Sequence, residues 1–472
     1  MNFVTNAYLI FIVAVFLIYW HLPRKWQNLF LLAASYFFYA NWDYRFLSLI
    51  IVSTVVDYIA GPRIFGATNP RVKKAWLLVS LCVNLGILGY FKYFNFFAGS
   101  FAAMAQGIGL PVSYTTLNIV LPVGISFYTF QTLSYSIDIY RGKLEPTKSF
   151  IDFAAFVAFF PQLVAGPIVR AREFIFQLEQ KRTFSGENLQ IGVTRFLYGF
   201  FKKAFVADTI ATSLCDPVFA NPGDYTSGML WLALLGYTVQ IYADFSGYSN
   251  MAIGSARILG FEIPENFNFP YLSRSISEFW RRWHLTMSRF FRDYVYIGLG
   301  GNREGFPKTL RNLCMTVVLS GLWHGAGWTF VVYGLLHGFY LAINQISRRI
   351  RYKRKGKTEK TIIGSLLGWI LTMAVVMYSR VFFRSQSFEI AFTYTKGLFK
   401  GLGTNVIEIG ALIWIAMGAV VIDHIYGAMK ERSPGIDNRV PTIIKAILYA
   451  AMIVFIYHAR PVDVNPFIYF QF

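Results

Sequence analysis

The sequence predicts an all-α, polytopic membrane protein. Three observations carry that reading: 55% of the 472 residues are hydrophobic against 14% charged, apolar runs of roughly 17 to 25 residues recur from end to end, and the basic residues gather in short loops between those runs. Such a composition is too apolar for a soluble globular chain. Each run is long enough to cross a hydrocarbon core of about 30 Å as a helix. A formal charge of +20 raises nucleic acid as a partner, but charges scattered over many loops do not form one basic face, and the positive-inside rule accounts for them.

The first run, Ala7 to Trp20, leads into HLPRKW rather than a small-residue cleavage site, so it reads as a retained span and not a signal peptide. Basic loops follow at Arg24/Lys25, Arg63–Lys74, Arg141–Lys148, Arg170–Arg182, Arg274–Arg311, Arg348–Lys360 and Lys430–Lys445. All are expected on the cytoplasmic side, which places the amino terminus outside. Whatever lies between two of them crosses an even number of times, or dips in and returns. Residues 149–168, SFIDFAAFVAFFPQLVAGPI, are too few for two crossings. Pro161, Gly166 and Pro167 break a helix there, so a re-entrant or interfacial element is expected. The count comes to about eleven membrane helices plus such elements, in one integral membrane domain over residues 1–472. Arg348–Lys360 holds eight basic residues in thirteen, suited to fixing topology and to touching anionic lipid headgroups.

Cys82, Cys215 and Cys314 lie far apart in apolar surroundings, which suggests neither a disulfide framework nor a metal site. The six histidines make no ligand-spaced cluster, so no metal is expected. No nucleophile elbow, P-loop or dinucleotide fingerprint stands in a convincing context.

One stretch does carry chemistry. LSGLWHGAGW, Leu319 to Trp328, sets an imidazole among apolar and very small residues. Arg311 and Arg348 bracket 36 residues, and both are expected in the cytoplasm, so the segment enters and comes back, turning at Gly325 to Gly327. Thirteen residues of helix from Arg311 reach roughly 20 Å, which puts His324 past mid-membrane at an irregular point. Broken backbone at that depth is tolerated only in packed protein or beside a wet cavity, and an ionisable group there is a functional candidate. The alternative is a histidine bonded to a neighbouring helix. For His337, in YGLLHGFY, that structural reading is the stronger one.

In SISEFWRRWHLTMSRFFRDYVYIGLGGNR, Ser275 to Arg303, apolar residues recur at three and four while Arg281, Arg282, Arg289 and Arg292 take the other faces. An amphipathic helix along the cytoplasmic interface or a vestibule mouth is expected. Its arginines either anchor it or, with His284, meet phosphates of an arriving ligand. Asp244, within TVQIYADFSGYSNMAIG, is costly in a span unless it lines a polar passage or neutralises a buried arginine, and both remain open. Gln131 and Asp138 raise the same question.

LPVGISFYTFQTLSYSIDIYRG, FFPQLVAGPIVR, YADFSGYSNMAIG, FNFPYLSRSISEFWRRWHLTMSRFFRDYVYIGLGGNR and GLWHGAGWTFVVYGLLHG run in order over about residues 121 to 340, and the chain closes on PFIYFQF. At these residues the sequence resembles the alginate O-acetyltransferase branch of the membrane-bound O-acyltransferase superfamily. The resemblance implies a ring-like helical fold with a central tunnel, in a bacterial cytoplasmic membrane. It implies His324 as catalytic base and His284 as the second signature histidine. Asn250 stands where the family commonly has aspartate, which puts an acidic role there in doubt, and Gly298 replaces a proline in a turn.

The reading that follows is transfer of an acetyl group from a cytosolic thioester, acetyl coenzyme A, to a hydroxyl of an extracytoplasmic polysaccharide or cell-wall glycan. The route is direct or through a secreted, SGNH-like partner. No permanently bound cofactor and no nucleic acid is expected, and membrane lipids surround the chain. Arg281 and Arg282 would attract the donor. Trp323, Trp328, Ser320 and Asp244 would shape the substrate cavity. Two alternatives stay open: D-alanyl transfer to teichoic acid from a carrier-protein thioester, and transport of acyl groups, against which stands the lack of visible repeat symmetry.

Overall fold

The computed structural model describes the chain except residues 113–115, 165, 356–360, 434, 436–440, 460–466 and 468–472. The far end of the basic stretch Arg348–Lys360, part of the Lys430–Lys445 loop and the closing PFIYFQF apart from Phe467 therefore lie outside the described residues. The described residues form an all-helical protein, with one isolated bridge, Tyr225 to Asn405, as their extended pairing. Five helical stretches are long and apolar enough to cross a membrane: Arg24–Gly66, Pro70–Gly107, Trp328–Arg351, Ile362–Arg384 and Ala411–Arg432. Shorter apolar helices are Asn6–His21, Phe150–Leu163 and Ile443–His458. Large apolar side chains such as Ile10, Phe37, Phe101, Ile362 and Ile443 point outward, as lipid-facing residues do and water-facing ones rarely do in such numbers.

The chain groups into two compact units, Met1–Phe196 with Met251–Pro264, and Leu197–Asn250 with Glu265–Phe472. In the first, Thr5 caps Asn6–His21 by accepting from Tyr8 N, and Asn69 with Pro70 starts Pro70–Leu88. These are local signals of the kind that start a helix anywhere. The buried carboxylate of Asp57 on Leu47–Gly66 accepts from Ser80 and Asn84 on Pro70–Leu88 and from Ser136 on Ile125–Tyr140. Three donors from two other helices satisfy a charge that would otherwise be prohibitive in an apolar bundle, and they tie the three helices together. Asp138 finds Arg172 Nε at 3.7 Å. Gln131 is fully buried.

The expected re-entrant element is two short helices, Phe150–Ala158 and Phe160–Leu163, broken at Phe159. From Phe153 to Leu163 they are buried, while Phe150 and Ile151 at the start of the first are exposed. Pro161 lies in the first turn of the second, where its missing N–H costs nothing.

In the second unit, Ser227–Ile258 contributes its length up to Asn250, and Phe306–His324 with Trp328–Lys355 makes a helical hairpin. Small residues let its two arms approach. A side chain on Gly321 would strike Phe330 O, and one on Gly334 would come within 2.8 Å of Val318 Cα. Backbones that close exclude lipid and fix the axial register of the arms.

Ser275–Arg303 does not form the continuous amphipathic helix that its spacing predicts. It splits into Ile276–Phe279, turns at Trp280 to His284, Leu285–Phe290, and a wider turn over Phe291–Tyr296. The break falls at His284, whose backbone is left-handed with φ 43°. Local spacing lost to a tertiary hydrogen bond described next.

Candidate active site

His324 is the last residue of its helix, and Gly325 leaves it in an extended conformation with φ −157° and ψ 148°. A side chain at 325 would collide with the Phe330 ring. Gly327 N then donates to Gly325 O at 3.1 Å, and Gly327 O accepts from Phe330 N at 3.2 Å to start the next helix. The GAG sequence thus does what its composition suggests: it stops one helix, turns and starts another in three residues.

His324 is 2% exposed and His284 fully buried. Their ring centroids lie 6.5 Å apart. Trp323 sits against both, 5.1 Å from His324 and 5.7 Å from His284. Phe383 and Tyr333 stand edge-on to His324 at 5.3 and 6.0 Å, while Phe245 is edge-on to His284 at 4.6 Å. Two imidazoles from distant parts of the sequence therefore share one aromatic box.

His284 is held by a residue that sequence reasoning missed. Asn266 Oδ1 lies 2.9 Å from His284 Nδ1 and accepts from Thr286 Oγ1 at 2.9 Å, while Asn266 Nδ2 donates to Ser249 Oγ at 3.2 Å. With the amide oriented by those partners, Oδ1 faces the ring, so Nδ1 carries the proton and Nε2 the lone pair. Nε2 has no hydrogen-bond partner among the described residues. Asn266 O also accepts from Leu285 N at 2.9 Å. The buried loop thereby takes over the bond a helix would have made, which is why the spacing of 275–303 misleads. A neutral amide in ENFNFP is no anomaly in a sequence, so nothing in the sequence marked it.

We expect Asn266→Leu to leave the ring without its orienting acceptor and to lower turnover by about ten- to a hundredfold, the usual scale for a residue that orients a working imidazole. Initial rates at saturating donor check this. Unchanged kcat would return Asn266 to a purely structural role.

The remaining candidates divide. Ser320, buried one turn before His324, donates to Met287 Sδ at 3.7 Å. Asp244 is buried beside Phe245 and pairs with Lys203 Nζ at 2.7 Å; Lys203 also meets Asp208 at 2.7 Å. Arg282 is committed to Glu278 and Glu431, and Arg281 is exposed. Trp328 is 54% exposed at the start of its helix, whereas Trp323 is buried. Phe467, from the closing stretch, is buried 5.4 Å from Phe245 and 4.5 Å from Tyr248, backing the His284 side.

The arrangement offers two buried imidazoles between aromatic walls, one with a fixed acceptor nitrogen. It suits removal of a proton from a hydroxyl.

Comparison with known proteins gives the family. Residues 146–383 match the model of the membrane-bound O-acyltransferase family. The chain is 45% identical to a probable alginate O-acetylase, AlgI, of Azotobacter vinelandii, over 85% of this chain and 78% of that one. It is 46% identical to the protein of the same name from Pseudomonas syringae, over 83% and 74%. It is also 36% identical to a peptidoglycan O-acetyltransferase of Helicobacter pylori, over 80% and 73%. On this evidence the chain is a multi-pass membrane acyltransferase and belongs to the membrane-bound O-acyltransferase family.

Proposed function

We propose that the chain transfers an acetyl group from acetyl coenzyme A, supplied on the cytosolic side, to a hydroxyl of an extracytoplasmic polysaccharide, directly or through a secreted partner. The bacterial cytoplasmic membrane is its place, because only there do both substrates come within reach. The observation that carries the reading is the buried pairing of His324 with His284 at 6.5 Å inside the aromatic box. The relatives' names, alginate O-acetylase and peptidoglycan O-acetyltransferase, supply the acceptor class.

In the transfer, neutral His324 takes the proton of the acceptor hydroxyl as its oxygen attacks the thioester carbonyl. A C–O bond forms, the C–S bond breaks, and the imidazolium returns its proton to the departing thiolate. The His284 Nε2 lone pair accepts a hydrogen bond from a neighbouring hydroxyl of the acceptor and orients the substrate. Poor solvent screening in the box strengthens both interactions. The Lys203–Asp244 pair fixes the rotation of the helix that presents Phe245 to His284, so Asp244 acts on the site at one remove.

Mass analysis of envelope polysaccharides from cells with and without the protein tests the reading: acetyl esters are expected to vanish without it. Supplying the thioester as free coenzyme A or on a carrier protein separates acetyl transfer from D-alanyl transfer. Flux of acyl groups across vesicles without thioester consumption would establish a transporter instead.

A further inference from the structure

One helix of the second unit, Ile362–Arg384, touches the supports of both imidazoles. Trp369, Arg380 and Phe383 fall on one side of it at helical spacing. Phe383 stands edge-on to His324. Trp369 Nε1 donates to Tyr271 O at 2.7 Å. Arg380 Nη1 donates to Thr238 O at 3.0 Å, and its Cζ lies 5.3 Å from the Tyr271 ring centroid and 5.1 Å from that of Trp283, the residue before His284.

The left-handed backbone at His284 persists only where its surroundings over-determine it. On the downstream side Asn266 does this, holding both the ring and the Leu285 N–H. On the upstream side the task falls to Trp283. The rings packed on Trp283 are those of Phe267, Tyr271 and Phe279, at 5.1, 6.4 and 5.5 Å. All three belong to the same stretch of chain as His284, so they move with it. Arg380 comes from a different helix and ties that group of rings to the frame. Tyr271 Oη donates to the same Thr238 O at 2.5 Å, so ring and guanidinium share one anchor.

Arg380 is 3% exposed and has no acidic partner among the described residues, whereas Lys202, Lys203 and Arg384 in the same unit all meet carboxylates. A buried cation without a counter-ion is retained at a cost that aromatic faces offset only in part. Its planar head, able to lie on rings while donating to a carbonyl, is what a compact ammonium lacks. The helix that carries it is itself held. Ser379 Oγ gives its proton to Val376 O at 2.8 Å and accepts from His337 Nε2–H at 2.9 Å, which joins this helix to Trp328–Lys355, the second arm of the hairpin that bears His324.

We propose that Arg380 is a positioning residue for His284: by holding Trp283 and Tyr271 it ties the left-handed turn to the helix that carries Phe383, and so fixes the spacing of the two imidazoles. It touches no substrate. Without it the turn is held from the Asn266 side alone, and the Nε2 lone pair loses its fixed direction. The effect on turnover rests on the transfer reading above; the hold on the turn does not.

The test reads the ring nitrogens of His284 in the full chain, made with isotope-labelled histidine and studied in bilayers by magic-angle-spinning NMR, the His284 signals being assigned by their loss in His284→Asn. Wild type is expected to show one tautomer, protonated at Nδ1 and bare at Nε2. Arg380→Met and Arg380→Lys are both expected to show mixed or broadened His284 signals, lysine included because an ammonium has no planar face to lay on the rings. In both, kcat is expected to fall by about ten- to a hundredfold, the scale of misplacing a reacting group by a remote change, while KM for acetyl coenzyme A stays within about twofold. Thr361→Ala removes the N-cap at the opposite end of the same helix and serves as the control: a lower unfolding midpoint is expected, with His284 signals and kcat as in wild type. Arg380→Lys keeps the charge and decides the matter if Arg380→Met does not fold. Altered His284 signals together with reduced kcat support the proposal; either change alone, neither, or the same changes in Thr361→Ala would overturn it. Should wild type form no product, the transfer reading fails, and the His284 signals alone decide whether Arg380 holds the turn.

Discussion

His324→Ala is expected to insert into the membrane normally and to lower acetyl transfer by about a hundredfold to ten-thousandfold, the range for a positioned base. The residue ends its helix, where alanine is readily accommodated, and the turn that follows is built by Gly325 and Gly327. What is lost is the ring between Trp323, Phe383 and Tyr333. Because that leaves a gap in the aromatic box, His324→Gln serves as the space-filling control and is expected to be comparably inactive. Acetyl ester formed per mole of purified enzyme is the measurement. Substantial product from both variants would take the proton-removing role away from His324.

The second large effect concerns stability. Lys203→Met is expected to cost about 3–5 kcal/mol, because it strips the cation from Asp208 and Asp244 while both remain buried. Asp244→Asn removes one carboxylate yet leaves Lys203 paired with Asp208, so it is expected to cost much less. Combining the two substitutions should recover part of the loss, since one buried carboxylate then lacks the lysine in place of two. Unfolding in detergent measures all three. A Lys203→Met variant as stable as wild type would mean that the three groups do not work as a charged unit. Activity is expected to fall with stability, because Phe245, next to Asp244, supports His284.

The fold class was legible because spans advertise themselves: apolar runs and basic loops follow from the solvent, not from long-range contacts. The place of His324 at a buried helix break was legible for a related reason, since an imidazole followed by Gly325-Ala326-Gly327 is out of place in a continuous span. Residues without such an anomaly stayed hidden. Asn266 is neutral and lies in a loop, so its hold on His284 exists only in three dimensions. Lys203 in FFKKAFVAD sits among apolar neighbours and away from the basic loops, so the sequence did not single it out as an ion-pair partner of Asp244. The 275–303 stretch has helical spacing but folds as two short helices around a buried amide. Periodicity reports which side chains seek the interior, not whether the backbone stays regular in reaching it. Arg282 was read either as an anchor or as an attractor of the donor, and it is held by Glu278 and Glu431.

The left-handed backbone at His284 bears on how this enzyme can evolve. A non-glycine residue there sits about 1–2 kcal/mol above its relaxed geometry, and asparagine is among the few side chains that tolerate it well. His284→Asn should therefore relieve backbone strain while removing the acceptor nitrogen, so selection for thermal robustness and selection for turnover pull that codon in opposite directions.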